Sequence, residues 1–184
     1  MNKIKIIALF GKAGSGKDTV LKELVKQYPH IHEIVSCTTR PPRAGEVDGI
    51  NYHFLTNQEF ADKVINNDML EATVFNDWCY GTAYSDLDPN NINVGVFNPE
   101  GISILQDDPR IEIIPYLIVV SDKERLLRQL NREANPDVLE IVRRFNTDNI
   151  DFDNLEAKVE NFVALFNHDQ EDLQYIVREL GQLY

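Results

Sequence analysis

A chain of 184 residues, 43% hydrophobic and 26% charged, has enough apolar surface for one packed domain, which excludes the disordered and fibrous classes. With 18 lysines and arginines against 30 aspartates and glutamates the formal charge is −12, the wrong sign for a protein that wraps nucleic acid. No apolar run nears the roughly 20 residues of a membrane span, and the opening MNKIKIIALFGK gives way to glycines too soon for a signal peptide, so a cytoplasmic protein is expected.

Residues 3–10 (KIKIIALF) form a short β-branched run of the kind found in buried parallel strands. After a glycine loop, Val20, Leu21, Leu24, Val25 and Tyr28 fall on one helical stripe that Pro29 ends. Residues 34–36 read as a strand leading into a polar, proline-containing stretch. Over about 49–80 short strands (INYHFL and LEATVF) bracket a helix holding Phe60, Val64 and Ile65, an inserted antiparallel lobe. Apolar strands return at 92–97 and 111–120, separated by a short helix with Ile102, Ile104 and Leu105. Residues 122 to about 150 read as two charged helices around Asn135-Pro136, with the proline in the first turn of the second. A final strand at 162–166 precedes a helix with Leu173, Ile176, Val177 and Leu180 on one stripe. Such alternation implies an α/β fold, a parallel sheet covered on both faces. Cys37 and Cys79 lack metal-ligand spacing and read as reduced thiols in a partly buried wall.

Gly11, Lys12, Ala13, Gly14, Ser15, Gly16, Lys17, Asp18 and Thr19 follow the first strand and open the first helix, the context a Walker A phosphate loop requires. Glycines there let successive N–H groups turn toward phosphate oxygens, and Lys17 would reach the β- and γ-phosphates of ATP. The residue after the lysine is normally a Mg²⁺-binding Ser or Thr, but here it is Asp18, a hard oxygen ligand that can hold Mg²⁺ itself. Thr19 lies about 100° further round the helix and does not substitute for it.

A second signature, SCTTRPPRAGEVDGINYHF over residues 36–54, is followed by Glu71 and then Tyr80-Gly81-Thr82. Together with the phosphate loop and Asn167, these motifs resemble the guanylate kinase family, a group of P-loop nucleoside monophosphate kinases. The resemblance implies one domain over 1–184. Its P-loop NTPase core (1–35, 92–120, 155–184) would hold a parallel sheet flanked by helices, with a small inserted antiparallel NMP-binding lobe at about 36–84 and a helical lid at about 122–150. The substrates implied are ATP, with Mg²⁺, and GMP. Arg40 and Arg43 would clamp the GMP phosphate with phenolic help from Tyr52 and Tyr80. Glu71 would accept guanine N1–H and N2–H₂, while Ser36 and Thr82 donate to O6. Arg128, Arg132 and Arg144 sit where the family lid carries arginines, so Lys17, Arg40, Arg128, Arg132 and Arg144 are the candidate catalytic set. Asn167 matches a position near the adenine.

The chain also departs from the pattern. Family aspartates fall where Val96 and Asn98 stand, and the lid glycines are replaced in Asn131-Arg132-Glu133-Ala134, which leaves the register of Arg132 open by one. The segment before residue 92 is short and contains Pro89, so a family helix is expected to be truncated. Two alternatives stay open: a kinase for another (deoxy)nucleoside monophosphate, and a non-catalytic guanylate-kinase-like binding module. Nucleotides are the expected partners, with no nucleic acid, membrane or obligate protein partner.

Overall fold

The computed structural model describes residues 3–43, 45–75, 77–132 and 134–183. Its main sheet is five parallel strands in the order β2 (Ile31–Glu33), β7 (Ile92–Val96), β1 (Ile4–Phe10), β8 (Ile111–Val119), β9 (Val163–Phe166). The central position of β1 explains its composition. Ile7 and Leu9 point to one face, Ile6, Ala8 and Phe10 to the other, and all five are fully buried. On the first face they meet Val20 and Leu24 of α1 (Lys17–Gln27) and Ile176, Val177 and Leu180 of α6 (Gln170–Gln182). On the second they meet Ile102 and Leu105 of α3 (Pro99–Gln106), with Leu155 and Val159. Each fully buried Ile or Leu contributes about 1.5–3 kcal/mol, so these two layers stabilise most of the fold.

A second sheet has the order β4 (His53–Phe54), β3 (Cys37–Thr38), β6 (Trp78–Ala83), β5 (Met69–Phe75). Two of its pairings are antiparallel and the β3–β4 pairing is parallel. Helix α2 (Asn57–Ile65) starts at a capping box between Thr56 and Glu59 and buries Phe60 against this sheet. Val64 and Ile65 are exposed, so the helical stripe expected there reduces to Phe60, the residue of α2 that packs against Cys37 and Ala83 of the sheet. The strand expected at 34–36 is divided. Ile34 still donates to the Val94 carbonyl, but the Val35 N–H goes to the Asp86 carboxylate, which ends pairing before β3 begins. In the short segment before β7 the structure has one 3₁₀ turn, Tyr84–Asp86.

The charged region forms α4 (Asp122–Leu130) and α5 (Val138–Asp151). Asp137 caps α5 by accepting from the Glu140 N–H, which places Pro136 just before the cap instead of in the first turn. Among the described residues no helix is long and apolar enough to cross a membrane.

Candidate active site

The phosphate loop bends through left-handed φ at Gly11 (149°), Gly14 (82°) and Gly16 (95°). Space demands glycine as well: a Cβ on Gly11 would lie 2.5 Å from the Ile118 carbonyl oxygen, and one on Gly14 2.5 Å from that of Arg125. The Ser15 N–H closes onto the Lys12 carbonyl at 3.1 Å. By contrast, the N–H groups of Gly14, Gly16, Lys17 and Asp18 have no acceptor among the described residues. These four donors converge at the N-terminus of α1, an arrangement that attracts phosphate oxygens. The Ser15 hydroxyl is buried and also lacks a partner.

Lys17 is half-buried and reaches back to the Lys12 carbonyl at 3.4 Å. Burial pushes its ammonium pKa down, while the charges of Asp18 and Asp148 hold it up. Asp18 and Thr19 are both exposed on the first turn of α1. Asn167 at the end of β9 donates to the Ser15 carbonyl at 2.8 Å, and its amide occupies the space that a Gly16 side chain would need. Arg128 binds the same carbonyl at 3.3 Å and the Asn167 and His168 carbonyls at 2.7 and 2.9 Å. It is not paired along its helix with Glu124, which instead binds Ser121 and His168.

In the lobe, Arg40 is 7% exposed, donates to Glu46 at 2.9 Å, and lies 5.3 Å over the Tyr52 ring. Burial works most strongly against its charge, but the Glu46 hydrogen bond and charge, with Tyr80 and Tyr52, together outweigh it and raise the pKa. Glu46 also takes the Arg43 N–H at 2.7 Å, leaving the Arg43 side chain exposed. Tyr52 and Tyr80 meet edge to face at 6.1 Å. The Tyr52 hydroxyl is pushed up to about 12 by burial first and by the Asp18 charge second.

Glu71 on β5 is 7% exposed and accepts from the Thr82 hydroxyl at 2.9 Å. The single Thr82 hydroxyl proton is therefore committed to the carboxylate, and Ser36, half-buried just before β3, is the remaining hydroxyl of the expected guanine set. Burial pushes the Glu71 carboxyl up to about 7, against the Thr82 hydrogen bonds and with help from Glu100. Asn98, one of the two positions without a carboxylate, caps α3 through the Gly101 N–H at 2.7 Å and donates to Thr73 at 2.9 Å. Arg132 is exposed beyond the C-terminal end of α4, and Arg144 on α5 is bound to Glu140 at 2.7 Å; among the described residues no hydrogen bond joins either to the phosphate loop. Glu133, within the lid motif, lies outside the described residues.

Three groups of residues are absent from the sequence reading. Asp148 on α5 accepts from the Ala13 N–H at 2.8 Å and from Arg125 at 2.9 Å. Asp86 clasps the strand crossings into the lobe, and Glu46 organises Arg40 and Arg43. Glu46 lies inside the signature over 36–54 and Arg125 has i,i+3 spacing from Asp122, so these two carried a sequence signal without an assigned role.

A parallel five-stranded sheet with a glycine loop feeding its first helix, and a second, smaller sheet, is the architecture of a P-loop fold. Residues 3–92 match the sequence model of the family described as Guanylate kinase. Guanylate kinases of Clostridium perfringens (strain SM101 / Type A) and Schizosaccharomyces pombe are 44% identical over 95 residues and 46% identical over 82 residues. These matches take in 48% and 44% of this chain but only 44% and 41% of the relatives, less than half of their length. In fold the likeness extends further: the crystal structure of guanylate kinase from Anaplasma phagocytophilum covers 98% of this chain, and 86% of that chain is matched, with a TM-score of 0.66 at 20% identity. The protein is thus similar to guanylate kinases in sequence through its first half and in fold over nearly its whole length.

Proposed function

We propose that the protein transfers the γ-phosphoryl group of ATP to GMP or dGMP, giving ADP and GDP or dGDP. One observation carries this reading: one chain combines a buried Glu71–Thr82 pair suited to guanine and an Arg40–Tyr52–Tyr80 cluster suited to a phosphate with four phosphate-loop amides that have no acceptor among the described residues. Glu71 accepts both guanine donors when ionised, whereas adenine offers it an unprotonated N1 and leaves a buried carboxylate unpaired. The acceptor phosphate of GMP is already ionised, so transfer depends on alignment and charge stabilisation. Arg40 and Arg43 orient the acceptor, Lys17 and the loop amides hold the donor, and Arg144 and Arg132 close from the lid.

Among the described residues no cluster of three or more His, Cys, Asp or Glu side chains could hold a metal alone. Asp18 fits Mg²⁺ brought in with the nucleotide, since it is a hard carboxylate ligand exposed on the first turn of α1 next to Lys17. When bound, the ion would neutralise charge on the β- and γ-phosphates. Arg128 and Asn167 hold the loop from behind, and their amide and guanidinium groups are spent on backbone carbonyls.

A coupled ADP-release assay with GMP, dGMP, AMP, CMP, UMP and dTMP in parallel tests the proposal. Turnover confined to the guanine nucleotides is expected. Preference for another base refutes the guanine assignment, and GMP binding without turnover with any acceptor identifies a non-catalytic binding module.

A further inference from the structure

The tip of the phosphate loop is bound to the lid helices at several points. Ala13 donates its N–H to Asp148 Oδ2 at 2.8 Å and receives Gln129 Nε2 on its carbonyl at 3.3 Å. Lys12 Nζ donates to Asn149 Oδ1 at 2.9 Å, and Gly14 packs against the backbone of Arg125. Beneath these contacts lies a buried charge network. Arg125 is 1% exposed and Asp148 6%. The guanidinium donates to Asp148 Oδ2 at 2.9 Å, to Asn149 at 3.3 Å and to Asp122 at 2.7 Å, with its face 3.7 Å over the Phe145 ring.

Stability alone does not account for this arrangement, because a buried ion pair adds little that well-packed apolar side chains of the same volume would not. What an apolar pair cannot do is accept a hydrogen bond. Asp148 Oδ2 takes two donors at once, one from the lid and one from the loop. The Ala13 amide is thereby turned to the lid, while the amides of Gly14, Gly16, Lys17 and Asp18 remain without acceptors among the described residues. We propose that Asp148 is a positioning residue for the donor nucleotide: held by Arg125, it sorts the loop amides into one that anchors the lid and four that receive phosphate. The inference rests on the reading of the loop as a nucleotide phosphate cradle, and it concerns the donor side only.

Calorimetric titration of the whole protein with ADP, and separately with GMP, tests it. Asp148→Asn leaves both donors on one neutral amide oxygen, a weaker acceptor than the carboxylate, and so loosens the hold on Ala13 and Arg125; ADP affinity is expected to fall at least about fivefold with GMP affinity unchanged. Arg125→Met/Asp148→Leu replaces the pair by apolar side chains, and thermal unfolding is expected near the wild-type Tm with ADP affinity still reduced. If affinity returns with stability in the double variant, the pair is only structural and the proposal is overturned. A change under fivefold in Asp148→Asn, or tighter ADP binding, overturns it too, and that near-isosteric variant carries the test if the double replacement does not fold. Wild-type protein that binds ADP but not GMP would instead remove the proposed acceptor while leaving this inference intact.

Discussion

Glu71 combines two demands that a single carboxylate meets only at suitable pH. Its folded pKa of about 7 lies above the ordinary 4.5, so its favourable contribution to stability is full below 4.5 and lost as pH rises through 7. Guanine recognition runs the other way, because only the ionised form accepts both donors. The KM for GMP is therefore expected to rise about tenfold between pH 8 and pH 6, and in Glu71→Gln that component of the slope disappears along with much of the affinity. A flat KM across this range in the wild type would show that Glu71 does not bind the base. Asp18 makes a second residue-scale prediction. With no carboxylate at Val96 or Asn98, it is the exposed acid beside Lys17, so Asp18→Ala should raise the Mg²⁺ concentration for half-maximal rate several-fold while Asp18→Ser recovers much of the rate. An unchanged Mg²⁺ dependence would leave Asp18 as a residue that merely complements the dipole of α1.

At the scale of elements, the substitution at position 98 has been absorbed into a helix cap. Asn98 uses both ends of its amide, accepting from Gly101 and donating to Thr73, and its oxygen and Glu71 Oε2 both lie 3.1 Å from the point where a Gly101 side chain would begin. Asn98→Asp should keep the cap, since Asp caps as well as Asn, but it puts a second charge beside Glu71. The pH profile of the GMP KM is then expected to shift to higher pH, and a shift downward, or none, would contradict this electrostatic coupling. What the sequence showed at this scale follows contact order. Strand β1, its glycine loop and the α1 stripe are local patterns, and they appear as read. Strand β4 falls inside the INYHFL run read as a strand, whereas the two-residue strand β3 is not visible in any periodicity, because its partners β4 and β6 define it. Likewise Val64 and Ile65 fit a helical stripe yet face solvent, and Asp148 reads as an ordinary surface acid until the fold brings Ala13 and Arg125 to it.

The whole molecule carries a charge of −12 and is read as binding two polyanions side by side, so its cations must be gathered from separate elements. Arg40 and Arg43 stand on the lobe, Lys17 on the core and Arg144 on α5. Two of these arginines are held meanwhile by carboxylates: Arg40 by Glu46 and Arg144 by Glu140. Glu140 is itself kept low in pKa by its Arg143 hydrogen bond first, with the Arg43 charge adding a smaller effect. A ligand carrying both nucleosides on one polyphosphate would engage all of these cations at once, and linkage makes the second half of its binding intramolecular. Its stabilisation of the fold is expected to exceed that of ADP and GMP added together by at least about 5 °C in Tm at equal concentration. Arg144→Ala should remove part of that excess while leaving the shift from GMP alone unchanged, since the lid arginine is assigned to the bridging phosphates and not to the acceptor pocket. Thermal unfolding with each ligand and with the pair decides the matter: a bridged ligand no better than the two separate nucleotides would mean that lobe, core and lid do not close on a common phosphate chain.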